Sequence, residues 1–222
     1  MVLKTNFTPE PRKRGRPPRS QEDASVAIRK AALNAFARSG FQGASIIDIA
    51  KIAGVAKPLV HYHFASKDAL WQAAVEGAVA TLSAELVDFQ KTLGSLDPDE
   101  SLRRVARQLV LFASQHPQLV RIVVDETGKG GARADWLHAN FLVPGYLLGK
   151  SLLDGVSNGG SSPAKPLPAE HVVPIILGVM NFAFLDAEVI RKAYGVDVHS
   201  VAYVERHGEF LYHLIRPVLL QP

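Results

Sequence analysis

Hydrophobic residues recur at helical spacing along almost the whole chain. Ile28, Ala31, Ala32, Ala35 and Phe36 form one stripe, Ile46, Ile49, Ala50 and Ala53 a second at i, i+3, i+4, i+7, and Val60 with Phe64 a short third. Ser20-Gln21-Glu22-Asp23 matches the Ser/Thr-x-x-Asp/Glu capping signature ahead of the first stripe, and Gly40 stands at its C-cap. Gly54 sits where the chain must reverse between two short helices, a place that favours positive φ, while Ala50 offers a small side chain where those helices cross. The pattern predicts a three-helix unit of about 45 residues. Ser66 then caps a fourth helix, from Asp68 to about Thr92, with Leu70, Ala73, Ala74, Gly77 and Ala78 on one face.

The remainder is also helical in pattern. Asp97-Pro98-Asp99-Glu100 is a strong helix start, and His116-Pro117 breaks that helix after about Gln115. A helix from Pro117 to near Thr127 precedes a GKGG loop at 128–131. Helical pattern returns from about Ala134 to Val156, and SNGGSSPAKPLP over 157–168 reads as a flexible connection. A very apolar helix from Ala169 to about Tyr194 and a last one from Ser200 to about Ile215 complete the chain. No strand pattern or internal repeat interrupts them. The expectation is an all-α chain of roughly nine helices, with a small helix-turn-helix head and a larger C-terminal bundle.

The second of the two short helices leaves Lys57, Leu59, His61, Tyr62 and His63 facing outward, a set rich in hydrogen-bonding groups and ring faces. Such a face suits DNA better than packing, although the pattern alone also fits an ordinary helical hairpin. The run GFQGASIIDIAKIAGVAKPLVHYHFASKDAL, residues 40–70, resembles the N-terminal DNA-binding domain of the TetR (tetracycline-repressor-like) transcriptional regulators. The likeness is dense over residues 28–70; beyond Leu70 only length and helix pattern resemble the family.

The resemblance implies that Ser45 and Lys67 hold DNA phosphates and that Lys57, Pro58, Leu59, His61, Tyr62 and His63 lie in or beside the major groove. It also implies a palindromic operator bound by a homodimer, whose last two helices from each copy form a four-helix bundle. Three positions depart from the family pattern: Ile47 stands where a polar residue is common, Ala56 where a serine caps the third helix, and Leu59 where threonine is common. Base preference therefore cannot be carried over.

The net charge of +4 conceals an asymmetry. Residues 1–70 carry 12 Lys and Arg against 5 Asp and Glu, while residues 71–222 carry 13 against 16. Positive charge thus gathers where phosphates would be met. Residues 1–19 hold Lys4, Arg12, Lys13, Arg14, Arg16 and Arg19 against Glu10 alone, and read as a basic arm that is disordered when free. Arg14-Gly15-Arg16-Pro17 resembles the core of an AT-hook, so Arg14 and Arg16 either follow an A·T minor groove or belong to a solvated basic tail. The resulting division is an arm over 1–19, a DNA-binding unit over 20–66 and a ligand-binding and dimerisation unit over 67–222.

With 47% hydrophobic residues the chain has ample material for a core. It contains no cysteine, which removes disulfides, thiol nucleophiles and thiolate metal sites and fits a cytoplasmic setting. No apolar run reaches the length of a membrane span, since Val172 to Leu185 is short and holds Pro174 and Asn181. The eight histidines show no metal-binding spacing; His61 and His63, two apart, point to different faces. No nucleophile or acid/base motif appears, so neither an enzyme nor a metal or other cofactor is expected.

A small-molecule effector is the expected partner of the C-terminal bundle, because the family's bundle encloses such a site. Candidate ligand-binding residues are polar or aromatic groups within apolar helices: Phe112, His116, Arg121, Asp125, Trp136, Asn140, Phe141, Tyr146, Asn181, Phe184 and Asp186. Each also has a purely structural reading, with Arg121 and Asp125 as an i, i+4 pair and the aromatics as core. The apolar residues of the penultimate helix, Val172, Ile175, Ile176, Val179, Phe182 and Ala183, run around more than one side. That surplus needs either central burial or a second copy of the chain. The sequence therefore reads as a homodimeric, ligand-responsive transcriptional regulator, most simply a repressor. Its rival is an architectural DNA-binding protein without effector.

Overall fold

Capping residues set the helix boundaries of the N-terminal unit. α1 (Gln21–Gly43) departs from helical geometry at Gly40, where φ is 66°. Ser45 then starts α2 (Ile46–Ala53) by accepting the Ile47 N–H at 3.2 Å. Gly54 adopts φ 69°, and this left-handed residue turns the chain into α3 (Lys57–His63), which begins at Ala56 without a side-chain cap. The Ser66 hydroxyl accepts the Ala69 N–H at 3.0 Å and opens α4 (Lys67–Lys91). The computed structural model describes residues 21–92, 96–158 and 168–220, so Arg14, Arg16, the Ser20 cap and most of the expected 157–168 connection lie outside it.

Asp97 caps α5 (Pro98–Gln115) through the amides of Asp99 and Glu100. α6 (Pro117–Lys129) and α7 (Ala132–Leu137) follow, and α7 continues through a π-helical turn, His138–Leu142, into α8 (Val143–Asn158). The chain closes with α9 (Ala169–Leu185), α10 (Ala187–Tyr194) and α11 (Val201–Leu219). Counting the continuous α7–α8 rod once gives ten helices and no strand among the described residues, an all-α fold as the pattern predicts.

Three local features differ from expectation. α6 runs two residues further, because Lys129 reaches back to Asp125 at 2.6 Å; only Gly130 and Gly131, with φ of 71° and 87°, make the reversal. The π turn precedes Pro144, which has no N–H for the Asn140 carbonyl, and the Val143 N–H bonds instead to the His138 carbonyl five residues back. The expected helix over 169–194 breaks at Asp186 with a bend of 69°. The uninterrupted apolar run ends there, and the bend folds Ala187 and Ile190 back onto the core around Phe184 and Val198. No single described helix is long and apolar enough to cross a membrane.

One core spans the head and the neighbouring helices. The α1 row of Ile28, Ala31, Ala32, Ala35 and Phe36 packs with Ile49, Ala50, Ala53 and Val60, then with Leu70, Trp71, Ala74 and Val75 of α4. The same cluster continues into Leu119 and Ile122 of α6 and Leu137 of α7. A second core joins α5, α9 and α11 around Leu102, Val110, Phe184, Leu211 and Tyr212. α5 and α11 cross closely: a Cβ added at Gly208 would lie 2.8 Å from the Arg107 Cα. Asp99 ties the same pair of helices by accepting the Tyr212 hydroxyl at 2.7 Å and the Arg216 Nε at 2.6 Å. Those two donors hold the Asp99 carboxyl below the usual carboxylate range.

A charged clasp reinforces the junction between head and body. Glu126 of α6 is 2% exposed and accepts Arg133 Nε at 2.8 Å. The same guanidinium lies 3.8 Å from the Phe41 ring centre and 3.4 Å from the Asp68 carboxylate at the start of α4. Removing Arg133 would leave a buried carboxylate without its partner. Arg133→Ala is expected to lower the unfolding free energy toward the lower end of about 3–5 kcal/mol, since the arginine side chain itself keeps 26% exposure. Arg133→Met with Glu126→Leu should restore much of that loss. Denaturant unfolding followed by circular dichroism measures both, and a single-mutant loss below about 0.5 kcal/mol would mean that the clasp is unimportant.

Candidate nucleic-acid interface

α3 is anchored through Val60, which is buried in the shared core, and its opposite face is free. Lys57, Pro58 and His61 are exposed, and Tyr62 is 69% exposed, which is high for an aromatic side chain. Leu59 and His63, expected to face outward with them, are instead half-buried. They stand four residues apart on either side of Val60, so helical geometry carries both toward the anchored side. The His63 ring meets Tyr62 edge-on at 5.3 Å and Phe64 at 6.1 Å, and its Nε2 is buried without a hydrogen-bond partner. The outward face is therefore narrower than the sequence suggests and centres on Lys57, His61 and Tyr62.

Ser45 and Lys67 flank this face. The Ser45 hydroxyl caps α2. The Lys67 ammonium donates to the Gln42 carbonyl at 3.2 Å and rests 4.8 Å over the Phe41 ring, which brings the start of α4 against the link that leads into α2. An ammonium has three donors, so one such bond leaves capacity for a phosphate oxygen. Ile47 and Ile52 add exposed apolar surface on α2 beside Lys51. The arrangement presents positive charge, ring faces and hydrogen-bonding groups on a short helix held rigidly from behind. It has the dimensions of an element that enters the major groove.

The candidate ligand residues do not converge on one chamber. Trp136, Asn140 and Phe141 line an open cleft of about 260 Å³ against Glu76, Val79 and Ala80 of α4. Phe112 borders a second open cleft of about 410 Å³, with Glu85, Phe89 and Gln108 among its walls. His116 lies beside this second cleft, its Nε2 3.4 Å from the Glu85 carboxylate. Arg121 is exposed, and Asp125 pairs with Lys129 rather than with Arg121, as the lysine lies on the C-terminal side where the reach is favourable. Tyr146 is exposed on α8, while the Asn181 amide bonds to the Leu177 carbonyl of its own helix at 2.9 Å. Phe184 is buried in the second core against His199 and His207, and Asp186 marks the bend after α9. Trp71, Glu76, Glu126 and Arg133, which the pattern does not mark, turn out to build the junction and its cleft. Trp71 alone had a signal, its place next to Leu70 on the buried face of α4. Among the described residues no group of three or more His, Asp or Glu is placed to hold a metal ion.

Comparison with known proteins agrees with this geometry. Residues 28–74 match the sequence model of the bacterial regulatory proteins of the tetR family. The HTH-type transcriptional repressor NicS of Pseudomonas putida is 28% identical over 107 residues, which make up 48% of this chain and 50% of NicS, so the chain spans about half the length of the curated relatives it matches. Among solved structures, a transcriptional regulator from Rhodococcus sp. Rha1 is similar with a TM-score of 0.61 at 22% identity, over 90% of this chain and 97% of that one. The regulator FadR from Bacillus subtilis, solved in complex with stearoyl-CoA, gives a TM-score of 0.62 at 17% identity, over 84% and 97% of the two chains. At these identities the structures show a shared fold. The sequence pattern of the tetR family is thus seated on α1 to α4 of this chain, and the described residues share the fold of these transcriptional regulators.

Proposed function

We propose that the chain is a DNA-binding transcriptional repressor that reads a palindromic operator as a homodimer and releases it on binding a small-molecule effector. The observation that carries the DNA reading is the exposed Lys57–His61–Tyr62 face of a helix whose other side is fixed in the core. Ser45 and Lys67 supply phosphate contacts at its edges, and by sequence Arg14 and Arg16 either follow a flanking A·T minor groove or belong to a solvated basic tail. On this reading the protein works in the cytoplasm, where its DNA would be.

The dimer reading rests on apolar surface left uncovered among the described residues. Ile175 and Phe182 of α9 and Phe210, Leu214 and Val218 of α11 are all exposed, with Phe182 at 64%. Pairing these two helices with their copies would bury that surface and hold two α3 helices about 34–36 Å apart, one turn of DNA. The effector reading is supported by the two clefts along α4 and by the lipid-bound FadR relative. Both clefts are open, however, with Glu76, Ala80 and Asn140 exposed at the rim of the first. That openness favours the rival reading of an architectural DNA-binding protein without effector.

Tyr62→Ala is expected to weaken operator binding by about 1–3 kcal/mol with an unchanged circular dichroism spectrum. Mobility-shift titration against a selected operator measures this, and unchanged affinity would remove α3 from the groove. Phe182→Glu should convert a micromolar dimer to monomer in sedimentation velocity, because a carboxylate cannot be buried there unpaired. A wild-type monomer would contradict the interface.

A further inference from the structure

The cleft between α4 and the π turn has an unusual lining for its size. Among the described residues Glu76 is the one charged group that lines it, the Trp136 and Phe141 rings form apolar walls with Val79 and Ala80, and Asn140 lies beside them. No Lys, Arg or His among the described residues lines it. Glu76 has no ion pair among the described residues, and Arg29, which passes α4 at Gly77, makes none with it. The Asn140 amide donates one N–H to the Trp136 carbonyl at 2.9 Å, and its carbonyl oxygen and second N–H keep their hydrogen-bonding capacity. A carboxylate, an amide oxygen and two aromatic rings favour positive charge and offer an anion no counter-charge. The volume of about 260 Å³ lies just below the roughly 300–1,000 Å³ of sites for drug-sized ligands, which limits the occupant to one ring or a short branched chain.

A second observation connects this cleft to the DNA-binding head. Trp136 meets Trp71 edge-on at 5.5 Å, and Trp71 is fully buried in the core shared with α1 and α2. The Trp71 Nε1 is also buried and has no hydrogen-bond partner, so packing alone holds that ring. A displacement of Trp136 is therefore transmitted directly to α4 where it supports the head. The wall opposite α4 is the π turn, a geometry that is rare and concentrated at functional sites.

We propose that this cleft binds a small organic cation, an amine or quaternary ammonium, between the Trp136 and Phe141 rings and the Glu76 carboxylate, and that occupancy is sensed by the head through Trp71. The proposal rests on the effector reading above and names the chemical class of that effector. It sets this chain apart from a relative that holds an acyl-CoA, a long polyanion for which the cleft has neither length nor charge.

The chain's two tryptophans are Trp71 and Trp136, so intrinsic fluorescence reports the cleft without a label. Full-length protein is titrated with benzyltrimethylammonium, and with benzyl alcohol and benzoate at matched ionic strength. The expected result is a saturable change with the cation, binding about tenfold weaker for benzyl alcohol, and no saturable change with benzoate. Glu76→Gln should weaken the cation about tenfold while its melting temperature stays at the wild-type value, since Glu76 is exposed and unpaired. Equal responses to cation and alcohol, a purely linear quench, or an unaltered response in Glu76→Gln would overturn the cation assignment. A parallel thermal-shift screen of neutral and anionic metabolites separates the two levels. A stabilising hit insensitive to Glu76→Gln overturns this proposal and keeps the effector reading, whereas binding of the cation with no effect on operator affinity overturns the coupling through Trp71.

Discussion

Trp71 has no exposed surface, and around it the helices that carry α3 are packed against the helices of the body. Ile28 and Phe36 from α1, Leu70 and Val75 from α4, Leu119 and Ile122 from α6 and Leu137 from α7 belong to one continuous cluster. The head therefore has no private core that would let it tilt freely on a linker. Close-packed interiors shift between discrete arrangements rather than deforming continuously, so any change in the body near Trp136 or Arg133 must be accommodated by the orientation of α3. The Glu126–Arg133–Phe41 clasp sits at the edge of the same seam and fixes the start of α4 against the end of α1.

This seam gives a physical route between two remote surfaces. α3 and the exposed α9 and α11 faces lie at opposite ends of the packing sequence, with α6 and α7 between them. In the proposed homodimer the separation of the two bodies would be set by their interface, and the seam would convert it into a separation of two α3 helices. An effector that moved the α7 wall by a small amount would alter the match to one DNA turn, and linkage requires operator DNA to weaken effector binding by the same factor.

The fold was largely legible because capping and periodicity are local. Gly40, Gly54, Ser66 and Asp97 act within one turn of where they stand, and each adopts the geometry its residue type favours. The bend at Asp186 was hidden because an apolar run reads alike whether straight or folded back on its own core. The π turn escaped because Pro144 signals a disturbance but not how the ladder absorbs it. At the DNA face, Lys57, His61 and Tyr62 could be read from spacing, while His63 could not: on a helix of seven residues a turn of one position decides between solvent and core. The ligand candidates were the least legible. Asp125, Asn181 and Phe184 are polar or aromatic among apolar neighbours in sequence, but only the folded chain shows that Asp125 pairs with Lys129, Asn181 bonds within its own helix and Phe184 sits in the core.

The central claim, that α3 enters the major groove once per half-site, has a direct test in methylation interference on a selected operator. Dimethyl sulfate modifies guanine N7 in the major groove and adenine N3 in the minor groove, so one experiment distinguishes the grooves. The geometry predicts guanine N7 interference in two blocks whose centres are about 10 base pairs apart, related by the operator's two-fold symmetry. Interference confined to adenine N3, or a single block of guanines, would contradict it.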